Sequence, residues 1–265
     1  MNATLISERN EYKQLVKEIA DTWRGRPGNV HKVQLSWCED NHEVNLWNYW
    51  QGFGNTYVDI VVMGQDWGNP ENNSQIMGNI KKIQSGDDSA HYCGRYDSSK
   101  LSVTDENLKA LVGVLRTSDG ETFKEIDTRR YDGLFFTNYC LGYRSGQESG
   151  GMTHKIMEQD DTFFIRLLKI LKPKVVICLG KITYERAVSV LSGKSFRIHN
   201  YNDCLNTGKN VYQEGDSPFV FGMGHCGNFG TNRNRVRGIE KYPELAGKSG
   251  LELMMLDWKR VNEYL

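Results

Sequence analysis

Asp59-Ile60-Val61-Val62-Met63, running straight into Gly64-Gln65-Asp66-Trp67-Gly68-Asn69-Pro70, decides how this chain folds. The first stretch is apolar and continuous rather than alternating, which marks a strand buried on both faces. The second places a carboxylate, Asp66, on a tight, glycine-flanked turn where that strand ends. Open α/β folds gather their chemistry at that rim. The rest of the chain is therefore read by asking what else arrives there.

Three further runs share the same continuous apolar character: residues 133–137, 174–179 and 218–223, alongside 58–63. Between them lie segments with helical periodicity. Leu108, Leu111, Val112 and Leu115 make one face, and Phe163, Phe164, Leu167, Leu168 and Leu171 make another. A weaker helix starts near Ile182 and carries Val188 and Leu191. A last one carries Leu251, Met254, Met255, Trp258, Val261 and Leu265. Near the start, Tyr12, Leu15, Val16, Ile19 and Trp23 recur at helical spacing until Arg24-Gly25-Arg26-Pro27-Gly28 stops them. Strands alternating with helices predict an α/β fold, a three-layer α/β/α sandwich around a central four-stranded parallel sheet. With no internal repeat and no low-complexity linker, residues 1–265 read as one domain. Residues 1–55 form its N-terminal helix and aromatic cap, the latter around Trp47, Tyr49, Trp50 and Phe53. Two long polar stretches, 72–100 and 197–217, read as loops, the first as an insertion; loops of that length are commonly functional or disordered.

The bulk numbers narrow the class. Lysine plus arginine (33) equals aspartate plus glutamate (33), so no global basic field advertises a nucleic-acid partner, and any such contact must be local. The six cysteines contain no C-x-x-C pair, and Cys140 and Cys178 sit in or beside strand-like runs. They read as buried thiols of a reducing compartment. A polar N-terminus and the lack of any long apolar run predict a cytoplasmic protein with no membrane partner.

In a parallel sheet the residues just after each strand become neighbours. Gln65 and Asp66 follow the first strand. Asn138 closes the second, ahead of Tyr139-Cys140-Leu141-Gly142-Tyr143-Arg144. Gly180-Lys181 follows the third. Gly224-His225-Cys226-Gly227-Asn228-Phe229-Gly230 follows the fourth, and then Thr231-Asn232-Arg233-Asn234-Arg235-Val236-Arg237. Each has a plain structural alternative. Asp66 can cap a helix or close an Asx-turn. Asn138 can satisfy backbone groups at a strand end, His225 can be an ordinary turn histidine, and the arginines can be a solvated face. Their joint placement at equivalent positions is what points to a site.

Val62-Met63-Gly64-Gln65-Asp66 resembles the water-activating motif of the uracil-DNA glycosylase superfamily. Phe135-Phe136-Thr137-Asn138 is similar to its strand ending in a pyrimidine-reading asparagine. Gly224-His225 with the following arginine-containing loop resembles its third motif, and residues 174–181 resemble its third strand and turn. The likeness spans roughly residues 58–265. It implies that fold, a DNA partner with the target nucleotide flipped out of a duplex or single strand, no cofactor, no metal and a monomer. It also implies roles. Asp66 orients the attacking water and stabilises the positive charge on the sugar, and His225 supports the charge developing on the base. Asn138 reads the pyrimidine edge beside Gln65, and Tyr96 stacks on the base, with His91 and Tyr92 as rival aromatic candidates. Phe229 wedges into the stack, unless it folds inward as a turn hydrophobe. Asn232, Arg233, Asn234, Arg235 and Arg237 hold flanking phosphates.

The chemistry suits these residue types on its own terms. A base must leave the helix before its glycosidic bond can be reached. Cleavage passes through an oxocarbenium-like sugar, and carboxylates serve glycoside hydrolysis in that way. A histidine can stabilise the departing anion, and an amide offers both donor and acceptor to a Watson–Crick edge.

The chain departs from the family in one informative place. The uracil-specific branch carries a tyrosine two residues after its aspartate, excluding a 5-methyl group; here that position is Gly68. Branches with glycine there carry asparagine in place of the aspartate, whereas this chain retains Asp66. The combination predicts a hydrolytic site with room for a C5-substituted pyrimidine, hydroxymethylated or glycosylated as in phage DNA, unless Trp67 fills the space. Strict uracil excision in base-excision repair is the rival reading, and repair and defence against foreign DNA both stay open. The family's iron–sulfur branches need cysteine spacings absent here. Cys38 with His42, or Cys93 with His91, would need further partners to bind zinc. Two other classes compete: a thiol hydrolase built on Cys226 and His225, and a catalytically silent nucleic-acid-binding module using the arginine loop. A dinucleotide or P-loop reading lacks its glycine signature.

Overall fold

The computed structural model describes residues 10–12, 14–15, 18, 30–32, 58–66, 103–116, 133–144, 151–227, 235–236 and 238–265. In chain order these form β1 (Val30–Lys32), β2 (Val58–Gly64), α1 (Val103–Val112), β3 (Gly133–Asn138), β4 (Gly142–Arg144), α2 (His154–Met157), α3 (Asp161–Leu171), β5 (Val175–Leu179), α4 (Lys181–Ser192), α5 (Tyr201–Asn206), β6 (Val211–Tyr212), β7 (Phe219–Met223) and α6 (Gly250–Lys259). Short 3-10 turns fill in around α2 and α6.

Local chemistry sets the helix ends. Ser249 and Glu252 form a reciprocal capping box at the start of α6, satisfying two otherwise orphaned donors. At the end of α3, Lys172 adopts a left-handed conformation (φ 45°) and returns its N–H to the Leu168 carbonyl. Pro173 follows and forbids another turn. Gly180 (φ 94°) turns the chain from β5 into α4, a backbone angle that glycine adopts without strain.

The main sheet has five strands in the order β3-β2-β5-β7-β6. The four strands read from the sequence are its parallel members. The fifth corrects the expected four-stranded sheet: β6 pairs antiparallel on the edge of β7. It lies within the 197–217 stretch read as loop, as does α5. Two residues are too short for a periodicity to register, and their pairing is fixed from outside. Asn210 binds Gly222 twice, through its backbone carbonyl and through its side-chain amide, both at 2.8 Å. A separate ribbon pairs β1 with β4, antiparallel, with Val30 opposite Arg144.

Both faces of the main sheet are covered. Val61, Met63, Phe135, Val176 and Cys178 pack with Phe164, Leu167 and Leu171 of α3, Tyr184 and Ala187 of α4, and Leu205 of α5. The alternate residues Ile60, Val62, Leu134, Phe136, Val175 and Ile177 pack with Leu108 and Leu111 of α1 and with Met254 and Trp258 of α6. That period of two divides every parallel strand between two cores, which is why the strands read as unbroken apolar runs. Tyr12 and Leu15, helical as expected, join the α3 side. Among the described residues no helix is long and apolar enough to cross a membrane. The aromatic cap near Trp47 and the insertion 72–100 lie outside the described residues.

Candidate active site

The strand order places the site. From β2 the chain runs to β3 on one side, then crosses back to β5 on the other side of β2. The carboxyl ends of β2 and β5 thus flank the point where the order reverses, the usual crevice for a ligand in an open α/β sheet. Asp66 stands two residues past the end of β2.

That turn is tied down by backbone. Tyr139 N–H donates to the Gly64 carbonyl and Cys140 N–H to the Gln65 carbonyl, each at 2.9 Å, carrying the β2–β3 pairing past both strand ends. The Asp66 side chain is 10% exposed. Its Oδ1 accepts from Gln65 Nε2 at 3.0 Å and its Oδ2 from Arg144 Nε at 2.7 Å. The Gln65 amide, expected to read the base, is thus engaged in holding the carboxylate.

Asn138 ends β3, buried and directly opposite Gly64 in register. The pairing explains the glycine. A Cβ at position 64 would sit 2.1 Å from Asn138 Oδ1, so only glycine leaves that amide where it is.

His225 follows β7. Its Nδ1 accepts a hydrogen bond from the Gly227 N–H at 3.0 Å, so in the neutral ring the proton sits on Nε2. The residue keeps an exposed edge, yet the protein packed around the ring desolvates it enough to lower its pKa below 6.5, while the nearby Asp66 charge pulls the other way. The turn is anchored to α1: Asn107 Nδ2 donates to the Cys226 carbonyl at 2.7 Å, and a Cβ on Gly227 would come within 3.3 Å of Thr104 Oγ1. Cys226 itself is fully buried in the core shared with α1 and α6. A thiol packed as an apolar residue offers no nucleophile to a substrate, which removes the support for a thiol hydrolase.

The chain matches no protein-family model and no curated protein sequence. The site's chemistry must therefore be read from its own geometry.

Three expected residues meet at one sheet edge: Asp66, Asn138 and His225. Arg235 does not join them. Its side chain is 1% exposed, forms a two-pronged ion pair with Asp257 and donates through Nε to Asn206 Oδ1 at 2.5 Å. An arginine so enclosed is no phosphate contact; in sequence it looked like one more member of a basic run. Gly68, Tyr96, His91, Tyr92, Phe229, Asn232, Arg233, Asn234 and Arg237 lie outside the described residues, as do Cys38, His42 and Cys93. Sequence reasoning missed Arg144 as a partner of Asp66, Asn107 as an anchor of the His225 turn, and Asp257 as the counter-ion of Arg235. Arg144 was visible only as the sixth residue after Asn138. Nothing local signals a contact across 78 positions of chain.

Proposed function

We propose that the chain is a monofunctional DNA glycosylase. It hydrolyses the N-glycosidic bond of a flipped-out pyrimidine, preferentially one substituted at C5, and leaves an abasic site. The observation that carries this reading is the pairing of opposite chemistries across one crevice. A carboxylate held at both oxygens sits within electrostatic reach of an imidazole whose ring proton, in the neutral form, is on Nε2. Hydrolysis of an N-glycoside asks for both: a group that orients water toward C1′, and a donor for the electrons that leave with the base.

In this mechanism Asp66 holds a water against C1′. The C1′–N1 bond breaks, its electron pair delocalises onto the pyrimidine O2, and His225 Nε2–H donates a hydrogen bond to that oxygen. The water oxygen bonds to C1′ and its released proton passes to solvent or to the departing base. Asn138 faces the pyrimidine edge with its donor and acceptor. The C5 preference rests on the sequence alone: glycine stands at position 68, where the uracil-specific branch has the tyrosine ring that excludes a 5-substituent.

The test is mass spectrometry of bases released from duplexes and single strands carrying uracil, thymine or 5-hydroxymethyl pyrimidines. Release of the hydroxymethylated base at a rate at least matching uracil is expected. Release of uracil alone would overturn the C5 preference, and no release from any substrate would overturn the glycosylase reading.

A pH profile gives a second expectation. His225 works here as a neutral donor, and desolvation lowers its pKa, so the ring stays neutral further into acid than a free imidazole does. Single-turnover base release should hold level as pH falls through the range in which a free imidazole gains its second proton, and decline only in more acid solution. The same depressed value contributes stability that is present above the unfolded pKa and lost as pH falls through the folded one. A rate that rises on acidification through 6.5 would assign the donor role to imidazolium instead.

A further inference from the structure

Arg144 lies far from Asp66 in the chain, yet its Nε donates to Asp66 Oδ2 at 2.7 Å, and its own side chain is only 5% exposed. Desolvating a guanidinium beside a carboxylate is a poor route to stability, since the attraction roughly repays the cost. The geometry offers a more specific use. Gln65 holds one carboxylate oxygen and Arg144 the other, so the plane of the carboxylate is set by two donors.

Arg144 reaches this position on a braced segment. Behind it, the Tyr139 hydroxyl donates to Asp161 Oδ1 at 2.7 Å and the Leu141 N–H to Asp160 Oδ2 at 3.0 Å, tying the chain to the start of α3. Around it, β4 pairs with β1: Lys32 lies opposite Gly142, His31 opposite Tyr143 and Val30 opposite Arg144 itself. The guanidinium is therefore delivered to Asp66 by a segment fixed on both sides.

The charges constrain the role further. Ion-paired, Asp66 and Arg144 together carry no net charge, so at a distance the pair stabilises a sugar cation far less than a lone carboxylate would. What the pair keeps undiminished is direction: remaining lone pairs of a fixed carboxylate, aimed at one place.

We infer that Arg144 is the positioning residue of Asp66, setting the carboxylate's orientation toward the attacking water without touching the nucleotide, and that the β1–β4 ribbon belongs to the site as its brace. The inference rests on Asp66 as the hydrolytic carboxylate.

The test compares Arg144→Met, Arg144→Lys, Asp66→Asn and the Asp66→Asn/Arg144→Met double variant on the best substrate of the base-release panel. Arg144→Met is expected to lower kcat by about 10- to 100-fold with KM changed less than about threefold. Arg144→Lys should recover part of the loss, and the double variant should be no slower than Asp66→Asn alone, because both act through one group. An unchanged kcat would overturn the inference. So would a raised KM with additive losses, which would make Arg144 a phosphate contact. A crystal structure of Arg144→Met supplies a readout independent of turnover. The Asp66 carboxylate should rotate or split between orientations, and one that stays in place would equally overturn the role. If the wild-type protein releases no base, the glycosylase reading fails by itself, while the crystal structure still decides whether Arg144 positions Asp66.

Discussion

On the proposed mechanism, replacing Asp66 by asparagine is expected to lower base release by about 10³-fold while leaving DNA binding within about threefold. Asparagine keeps the size of the side chain and one carbonyl oxygen, so it still accepts from Arg144 or from Gln65. It loses the charge and the second acceptor. A group used mainly in the transition state costs rate rather than affinity when it is removed, so the loss falls on kcat. The substitution also takes the Asp66 charge away from the buried Arg144 guanidinium, and a stability loss of about 1–3 kcal/mol is expected with it. A melting curve separates the two effects, because assays run well below the transition report only on folded protein. The comparison also discriminates between functions. A silent binding module would show the same DNA affinity and would have no abasic-site formation to lose.

Asp257→Ala is expected to produce the largest loss of stability, about 3–5 kcal/mol by urea unfolding. Arg235 and Asp257 are 1% and 3% exposed, and Asp257 also accepts from Arg260 at 3.0 Å. Arg260 in turn reaches Asn210 Oδ1 at 2.9 Å, and Asn210 grips β7 through Gly222. Removing the carboxylate takes the counter-ion from a desolvated guanidinium and an acceptor from Arg260, whose bond to Asn210 remains. The control is Arg235→Met combined with Asp257→Leu. Replacing both charges by apolar groups of similar size should restore most of the loss, since the penalty comes from breaking the pair. Equal destabilisation in the double variant would mean that packing around the pair, and not its charge, carries the energy. The pair has a functional side as well. Arg235 immediately follows residues 228–234, and Gly227 precedes them; the first is anchored to α6 and the second to His225. The residues on either side of the segment expected to meet DNA are thus both tied to the fold.

How far the sequence was legible depended on the range of the forces involved. The four parallel strands were readable because a strand buried on both faces must be apolar at every position, which leaves an unbroken run such as Val61-Val62-Met63. Helices α1, α3 and α6 were readable because each buries one stripe. Strand β6 and the β1–β4 ribbon were not, because two or three residues carry no period and their pairing comes from a distant partner. The strand-end residues are legible for a topological reason: parallel strands deliver their carboxyl ends to one edge, so Asp66, Asn138 and His225 fall at that edge on strand direction alone.

Side-chain partnership was decided elsewhere. The sequence by itself determined the α/β architecture, its parallel strands and the edge where a carboxylate, an amide and an imidazole meet, since periodicity and strand direction are local properties of the chain. Only the tertiary structure decided that Arg144 holds Asp66, that Gln65 turns to the same carboxylate, and that Arg235 is buried against Asp257 instead of facing a phosphate. An arginine looks the same in sequence whether it meets solvent, a substrate or a counter-ion. Which of these it meets depends on carboxylates far away in the chain, brought within 3 Å of it only by folding.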